Sequence, residues 1–227
     1  MNNVKPIFLF AGGQPRNPKA MLTSLAEVMR ECGKLKPRIA YLGVANGDHL
    51  MFFQSIKSML QEAGAGEVLL LKLARTKIDL AASKQALENA DAIFISGGEV
   101  EDGMRWLERH ELSDFLKELR SRGKLFFGIS AGSIMLGKAW LHWENPEDDT
   151  TAELFSCLGF VSTTFDTHAE EDDWIELKKA LQLQGPGACG YGIPSGSVVR
   201  VDEQDKMTTF GKPLLCYENI EGQVRRK

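Results

Sequence analysis

Apolar residues follow two rhythms along this chain. Short unbroken apolar runs alternate with longer stretches in which apolar positions recur every three or four residues. The run PIFLF predicts a first strand. NPKAMLTSLAEVMREC predicts a helix with Asn17 as its cap, Pro18 in its first turn and Gly33 as its terminator. RIAYLGV predicts a second strand, and HLMFFQSIKSMLQEAG a helix capped by Asp48 and closed by Gly64. EVLLLKL predicts a third strand, DLAASKQALENA a helix behind Asp79, and AIFIS a fourth strand ending in Gly97-Gly98. SDFLKELRSRG predicts a helix from Ser113 to Gly123, and KLFFGIS a fifth strand.

Strands that are apolar throughout, separated by helices, are buried on both faces and so belong to a parallel sheet between helical layers. The expected fold class is therefore an α/β three-layer sandwich around a mostly parallel central sheet. Toward the end the rhythm changes: VVRVDEQDKMTTF and PLLCYEN predict a C-terminal β-hairpin region around a polar turn. No repeat, linker or low-complexity tract interrupts the chain, which predicts a single domain over residues 1–227.

Composition narrows the function classes. With 27 basic and 31 acidic residues the net charge is −4, which gives no electrostatic footprint for nucleic acid or an anionic membrane. The opening apolar run is too short for a signal-peptide core and reads as a strand. The four cysteines, Cys32, Cys157, Cys189 and Cys216, are scattered without a C-x-x-C pair. That pattern predicts reduced thiols in a cytoplasmic protein, neither a disulfide framework nor a zinc site. No cofactor or metal is expected.

The candidate chemistry begins in LFFGISAGSIM. Gly128-Ile129-Ser130-Ala131-Gly132 matches the pattern G-x-S-x-G at the end of an apolar strand. A sharp strand-to-helix turn exposes such a serine, and small neighbours let the backbone pass closely. The turn also aims the Ala131 amide toward an oxyanion forming beside Ser130. A serine nucleophile needs a base, and the chain has four histidines. His49 starts a helix, His110 lies in a charged stretch between helices, and His142 falls in an expected loop, AWLHWENPEDD. His168 follows the expected strand GFVSTTF and so sits at a strand end like Ser130, which makes it the candidate base. An acidic helix is expected to begin near Glu170. No second histidine is spaced with His168 for metal coordination. Because no histidine follows His168, the order Ser130 then His168 departs from the α/β-hydrolases, whose histidine lies near the C-terminus.

The motifs together resemble peptidase family S51, the family of aspartyl dipeptidase (dipeptidase E) and cyanophycinase. The similar segments are FLFAGG, YLGVANGD, DAIFISGGEV, FFGISAGSIML, LGFVSTTFDTH and YGIPSGSVV, spread along nearly the whole chain. The resemblance implies the flavodoxin-like, class I glutamine amidotransferase-like α/β sandwich and serine-type cleavage of small peptides. It implies Ser130 as nucleophile, His168 as base, and the amides of Gly98 and Ala131 as the oxyanion hole. The turn at Gly97 and Glu99 would contribute to substrate binding. Two positions depart from the family. Glu99-Val100 follows the double glycine where Asn-Thr or Asp-Gln is common. The family's triad glutamate would stand where this chain reads Gly192-Ile193-Pro194-Ser195-Gly196, so Ser195 holds the carboxylate position.

A hydroxyl at Ser195 can accept a hydrogen bond from the imidazole but carries no charge to stabilise an imidazolium. Asp166, Glu170 or Glu171 would then supply the acid. Asp166 is the preferred one, because residues two apart on a strand point to the same side. The acidic stretches ENPEDD and EEDD would favour substrates with basic groups or a free amine. Three readings stay open: a peptidase-like hydrolase, a catalytically weakened member that binds a ligand or partner, and an esterase disfavoured by its histidine order. The expected partners are a small peptide substrate and, as an assembly, a homodimer.

Overall fold

A computed structural model of the protein describes residues 4–12, 18–145 and 147–227. Five parallel strands form its centre: β1 (Ile7–Phe10), β2 (Ile39–Leu42), β3 (Val68–Leu71), β4 (Ala92–Ile95) and β5 (Leu125–Ile129). The helices that follow them are α1 (Pro18–Glu31), α2 (Leu50–Glu62), α3 (Leu80–Asn89), α4 (Val100–Arg109), α5 (Ser113–Ser121) and α6 (Ala131–Leu136).

Side-chain alternation sorts the core into two layers. Phe8, Tyr41, Phe94 and Phe127 face α1 and α2, where Leu25, Val28, Phe53 and Leu60 cover them. Ile7, Leu9, Leu42, Ile93 and Phe126 face the opposite way, against Leu87, Met104, Leu107, Leu116 and Met135. Both faces are buried, which is why these strands read as continuous apolar runs. The rings of Tyr41, Phe94 and Phe127 form a tilted row with centroids 5.2 and 4.9 Å apart. Each such side chain contributes roughly 1.5–3 kcal/mol on burial.

Past α6 the chain builds a hairpin of β6 (Ala139–Trp143) and β7 (Ala152–Ser156). Next come β8 (Thr164–Thr167), α7 (Ile175–Gln184) and β9 (Cys189–Ile193), then the antiparallel pair β10 (Val198–Val201) and β11 (Met207–Phe210). The last pair is β12 (Leu215–Ile220) and β13 (Gln223–Arg226). Strands β10 and β11 extend the central sheet on its β1 edge, giving the order β11-β10-β1-β5-β4-β2-β3. A second sheet of order β13-β12-β9-β8 carries α7 on one face, with Trp174, Leu177, Leu181 and Tyr217 between them. Among the described residues, no helix is long and apolar enough to cross a membrane.

Several local expectations change. Asp48 does not cap α2; it is buried with φ 57°, and its Oδ2 accepts from Ala74 N at 2.8 Å. His49 takes the capping role through Nδ1, which accepts from Phe52 N. Ser113 does not cap α5, since its hydroxyl is buried without a partner and Leu112 holds the cap position. The amphipathic α4 was not expected; directly after Gly97-Gly98 its charged positions masked its apolar face of Val100, Met104 and Leu107. The acidic stretch after His168 is turn rather than helix, and α7 starts only at Ile175. Of the expected strand GFVSTTF only the end belongs to β8. The Asn17 cap and Gly13 lie outside the described residues. Cys189 and Cys216 come close, with sulfurs 3.6 Å apart and unbonded.

Candidate active site

Three strand ends of the central sheet converge on Ser130. The serine sits between β5 and α6 with φ 53° and ψ −123°, a region a β-carbon makes costly, by roughly 1–3 kcal/mol. Hydrogen bonds hold it there. Ser130 N donates to Phe10 O at 2.9 Å, and the buried Ser133 hydroxyl reaches both Phe10 O (2.9 Å) and Gly128 O (2.8 Å). The small residues flanking the serine have a steric reason. A β-carbon on Gly128 would overlap the Gly132 carbonyl, and one on Gly132 the Ile95 carbonyl. Both glycines therefore let α6 start in contact with β5 and β4.

Gly98 is the second fixed point. Its φ of 141° suits only glycine, and an added β-carbon would run into the Ala45 carbonyl. Asn46 secures the turn by donating from Nδ2 to Ser96 Oγ (2.9 Å) and Gly97 O (2.8 Å). The N–H groups of Gly98 and Ala131 donate to no acceptor among the described residues. Gly97 lies under the serine, where a β-carbon would be 3.2 Å from Ser130 Cβ.

His168 arrives from the second sheet, 38 positions along the chain. Directly after β8 the backbone turns left-handed, with φ 47°, and His168 N donates to Ile193 O at 2.9 Å. Its Nε2 stands 2.8 Å from Ser130 Oγ. Because His168 leaves the extended geometry, the two-residue rule that aligned Asp166 with it does not hold. Asp166 makes no hydrogen bond to the imidazole. It is buried, its Oδ1 accepts from Thr167 N at 2.6 Å, and its Oδ2 has no partner. Burial, reinforced by Glu176 and Asp172, pushes its carboxyl up to about 8. A carboxyl that is largely neutral at pH 7 is a poor stabiliser of an imidazolium.

Ser195 makes no hydrogen bond to His168 either. Its N–H (2.7 Å) and hydroxyl (3.0 Å) both donate to the carboxylate of Glu170, and Lys212 lies 3.7 Å from the same group. Burial pushes Glu170 up, but the bonds from Ser195 and the charge of Lys212 outweigh it and hold the carboxyl below its ordinary range. The loop after His168 thus carries an ionised carboxylate anchored on Ser195, just past β9.

Ser130, Ala131, Gly98 and His168 line one cleft of about 400 Å³, shared with Glu99, Asp166 and Asp172. The cleft has contributors that the sequence did not suggest, among them Glu176, Trp140 and His142. Glu176 comes from α7, and Trp140 and His142 come from the hairpin strand that had been expected as a loop. The run of apolar and aromatic residues in AWLHW was the available signal. His142 Nδ1 lies 2.6 Å from Glu101 Oε2, and Glu101 also pairs with Arg105. A second, more apolar hollow of about 450 Å³ opens on the other side of Ser130 and Gly97, walled by Met21, Phe52, Ile56 and Met59. The described residues of ENPEDD line neither hollow, and of EEDD only Asp172 does.

The family model described as Peptidase family S51 matches residues 7–209. Peptidase E of Haemophilus influenzae (strain PittGG) is 28% identical over 148 residues, covering 61% of this chain and 62% of that protein. Pyridoxal 5'-phosphate synthase subunit PdxT of Geobacillus thermodenitrificans (strain NG80-2) is 24% identical over 135 residues, 58% of this chain and 64% of its own length. The chain thus spans under two thirds of the length of these relatives. The crystal structure of a peptidase from an acI-B1 Actinobacterium superposes with a TM-score of 0.73 at 17% identity, covering 100% of this chain and 95% of that one. At that identity the likeness is one of fold.

Proposed function

This chain belongs to peptidase family S51, and on that premise we propose that it is a serine-type hydrolase of small peptides or amides. Ser130 is the nucleophile and His168 the general base. The observation that carries the reading is the 2.8 Å approach of Ser130 Oγ and His168 Nε2 at a strained turn.

In the acylation step His168 Nε2 takes the hydroxyl proton as Ser130 Oγ bonds to the amide carbonyl carbon. The developing oxyanion faces the N–H groups of Gly98 and Ala131, which share the cleft with Ser130. Each such donor is worth several kcal/mol to the transition state because it is already oriented. Protonated His168 then hands its proton to the leaving amine. Water, deprotonated by His168, releases the acyl group. The turn at Gly97 and Glu99 brings Glu99 to the cleft, where it meets the substrate.

The acid of the triad is the weak link. Among the described residues, no carboxylate hydrogen-bonds to His168 Nδ1. In serine proteases the loss of that partner lowers kcat by about 10⁴-fold. Glu170, anchored by Ser195, supplies the nearest ionised replacement in sequence, and catalysis is expected to be slow. The same observation favours a second reading, in which the chain binds a ligand without turning it over.

Labelling with a fluorophosphonate probe separates the two. Adduct formation in the wild type, lost in Ser130→Ala and reduced in His168→Ala, is the result expected of the hydrolase. A properly folded wild type that forms no adduct leaves the binding reading.

A further inference from the structure

Among the described residues, four carboxyl groups face the cleft beside Ser130 with no lysine or arginine in its lining to balance them. They are Glu99 before α4, Asp166 on β8, Asp172 in the turn after His168, and Glu176 in the first turn of α7. Among the described residues, no lysine or arginine lines the cleft. Glu101, by contrast, is paired with Arg105 and lies within hydrogen-bond distance of His142. Among the described residues none of the four takes part in a salt bridge.

Asp166 adds an independent observation. It is 4% exposed, lines the cleft, and its Oδ2 has no hydrogen-bond partner. A buried carboxyl oxygen left unpaired costs roughly 1–3 kcal/mol, so a fold normally satisfies it. The acids also act on one another. Burial pushes Glu176 above its ordinary range, with Asp172 and then Glu99 adding to it, and Asp166 is pushed up by burial together with Glu176 and Asp172. Carboxyls gathered at one cleft oppose one another's ionisation, and a ligand that brings the opposite charge relieves that opposition.

Metal does not suit the arrangement. Among the described residues no group of three or more His, Cys, Asp or Glu side chains is placed to hold an ion. An organic cation needs no such tight cage, since ammonium and guanidinium groups bond to carboxylates spread over several ångströms. Trp140 and Trp143 contribute aromatic surface to the same walls, which further suits a desolvated cation. The volume, about 400 Å³, matches a substrate of one or two residues.

We propose that this cleft is a cation subsite, formed by Glu99, Asp166, Asp172 and Glu176, that holds an ammonium or guanidinium group of the peptide whose amide Ser130 attacks. The assignment rests on the hydrolase reading for the last clause only; the subsite itself can be measured without catalysis. Its source in the substrate is either a lysine or arginine side chain or the α-ammonium group.

The test uses the Ser130→Ala chain, which keeps the cleft but cannot form an acyl-enzyme, and titrates four peptides by calorimetry. Lys-Ala, acetyl-Lys-Ala, norleucyl-Ala and acetyl-norleucyl-Ala, all as C-terminal amides, vary the two charges independently. Preference for a cationic peptide over the acetyl-norleucyl peptide by about 10-fold or more is expected, and which charge matters identifies the source. Glu176→Gln and Asp172→Asn, each in the Ser130→Ala background, should each reduce that preference several-fold. Equal affinity for all four peptides overturns the subsite, as does tight binding of Mg²⁺ or Ca²⁺ that the lysyl peptides fail to displace. Fluorophosphonate labelling of the wild type reports the nucleophile separately, so failure of the subsite and failure of the hydrolase reading give different results.

Discussion

Replacing Asp166 by asparagine should make the protein more stable in alkaline than in acidic solution relative to the wild type. The carboxyl titrates at about 8 in the folded chain and at 3.8 under ordinary conditions, because burial, Glu176 and Asp172 all disfavour its charge. A raised folded-state value means that the group's contribution to stability is present in full below pH 4 and is lost as the pH rises toward 8. Across that window the unfolded chain releases a proton that the folded chain retains, which costs about 1.4 kcal/mol per pH unit for a fully independent group. The upper bound over the window is thus about 6 kcal/mol, and coupling to Asp172 and Glu176 spreads and reduces it to a few. Asparagine keeps the acceptor for Thr167 N–H but puts an amide donor where Oδ2 has no partner, a pH-independent cost of roughly 1–3 kcal/mol. Urea denaturation of both proteins at pH 4, 6, 7.5 and 9 isolates the effect, since the other titrating groups cancel in the difference. The difference should rise in favour of Asp166→Asn between pH 4 and 8 and then level off. A difference that stays flat would refute the reasoning, because Asp166 would then be ionised in the folded chain.

Other substitutions test the remaining supports. Gly98→Ala must move the Ala45 carbonyl and adopt φ 141°, so fluorophosphonate labelling should slow by at least about 10²-fold as the oxyanion amide shifts. Gly192→Ala would place a β-carbon 2.5 Å from the Trp174 ring, and thermal unfolding should report a loss of about 1–3 kcal/mol. Ser195→Glu sets a second carboxylate against Glu170, whose present partners lie 2.7 and 3.0 Å away, so this single variant should lose stability. The exchange Glu170→Ser with Ser195→Glu removes that repulsion; stability measured by urea should recover, and labelling should reach or exceed the wild-type rate. A double variant no more stable than Ser195→Glu alone would mean that the two positions do not oppose each other.

Much of the central sheet was legible in the sequence because local physics decides it. A strand buried on both faces must be apolar, and β1, β2, β4 and β5 read that way; β3, at the sheet edge, is apolar but leaves Leu69 exposed. The elbow was legible for a similar reason: Gly128 and Gly132 are required wherever a helix starts against two neighbouring carbonyls. Asp79 capped α3 as a local signal should, whereas Asp48 carried the same signal and was drawn into a buried position, and Ser113 buries its hydroxyl without capping α5.

What the tertiary structure alone decided depends on groups distant in sequence. His168 reaches Ser130 only because its left-handed turn ends β8, and that same turn takes Asp166 out of line with the imidazole. Glu170 meets Ser195 because the second sheet sets the end of β8 beside the end of β9. The charge of the cleft likewise could not be counted along the chain. ENPEDD looked like its source, yet the acids that face Ser130 come from the turn before α4, β8, the turn after His168 and α7. Composition sets how many carboxylates a chain carries, whereas only packing determines which of them are left together without a counter-charge.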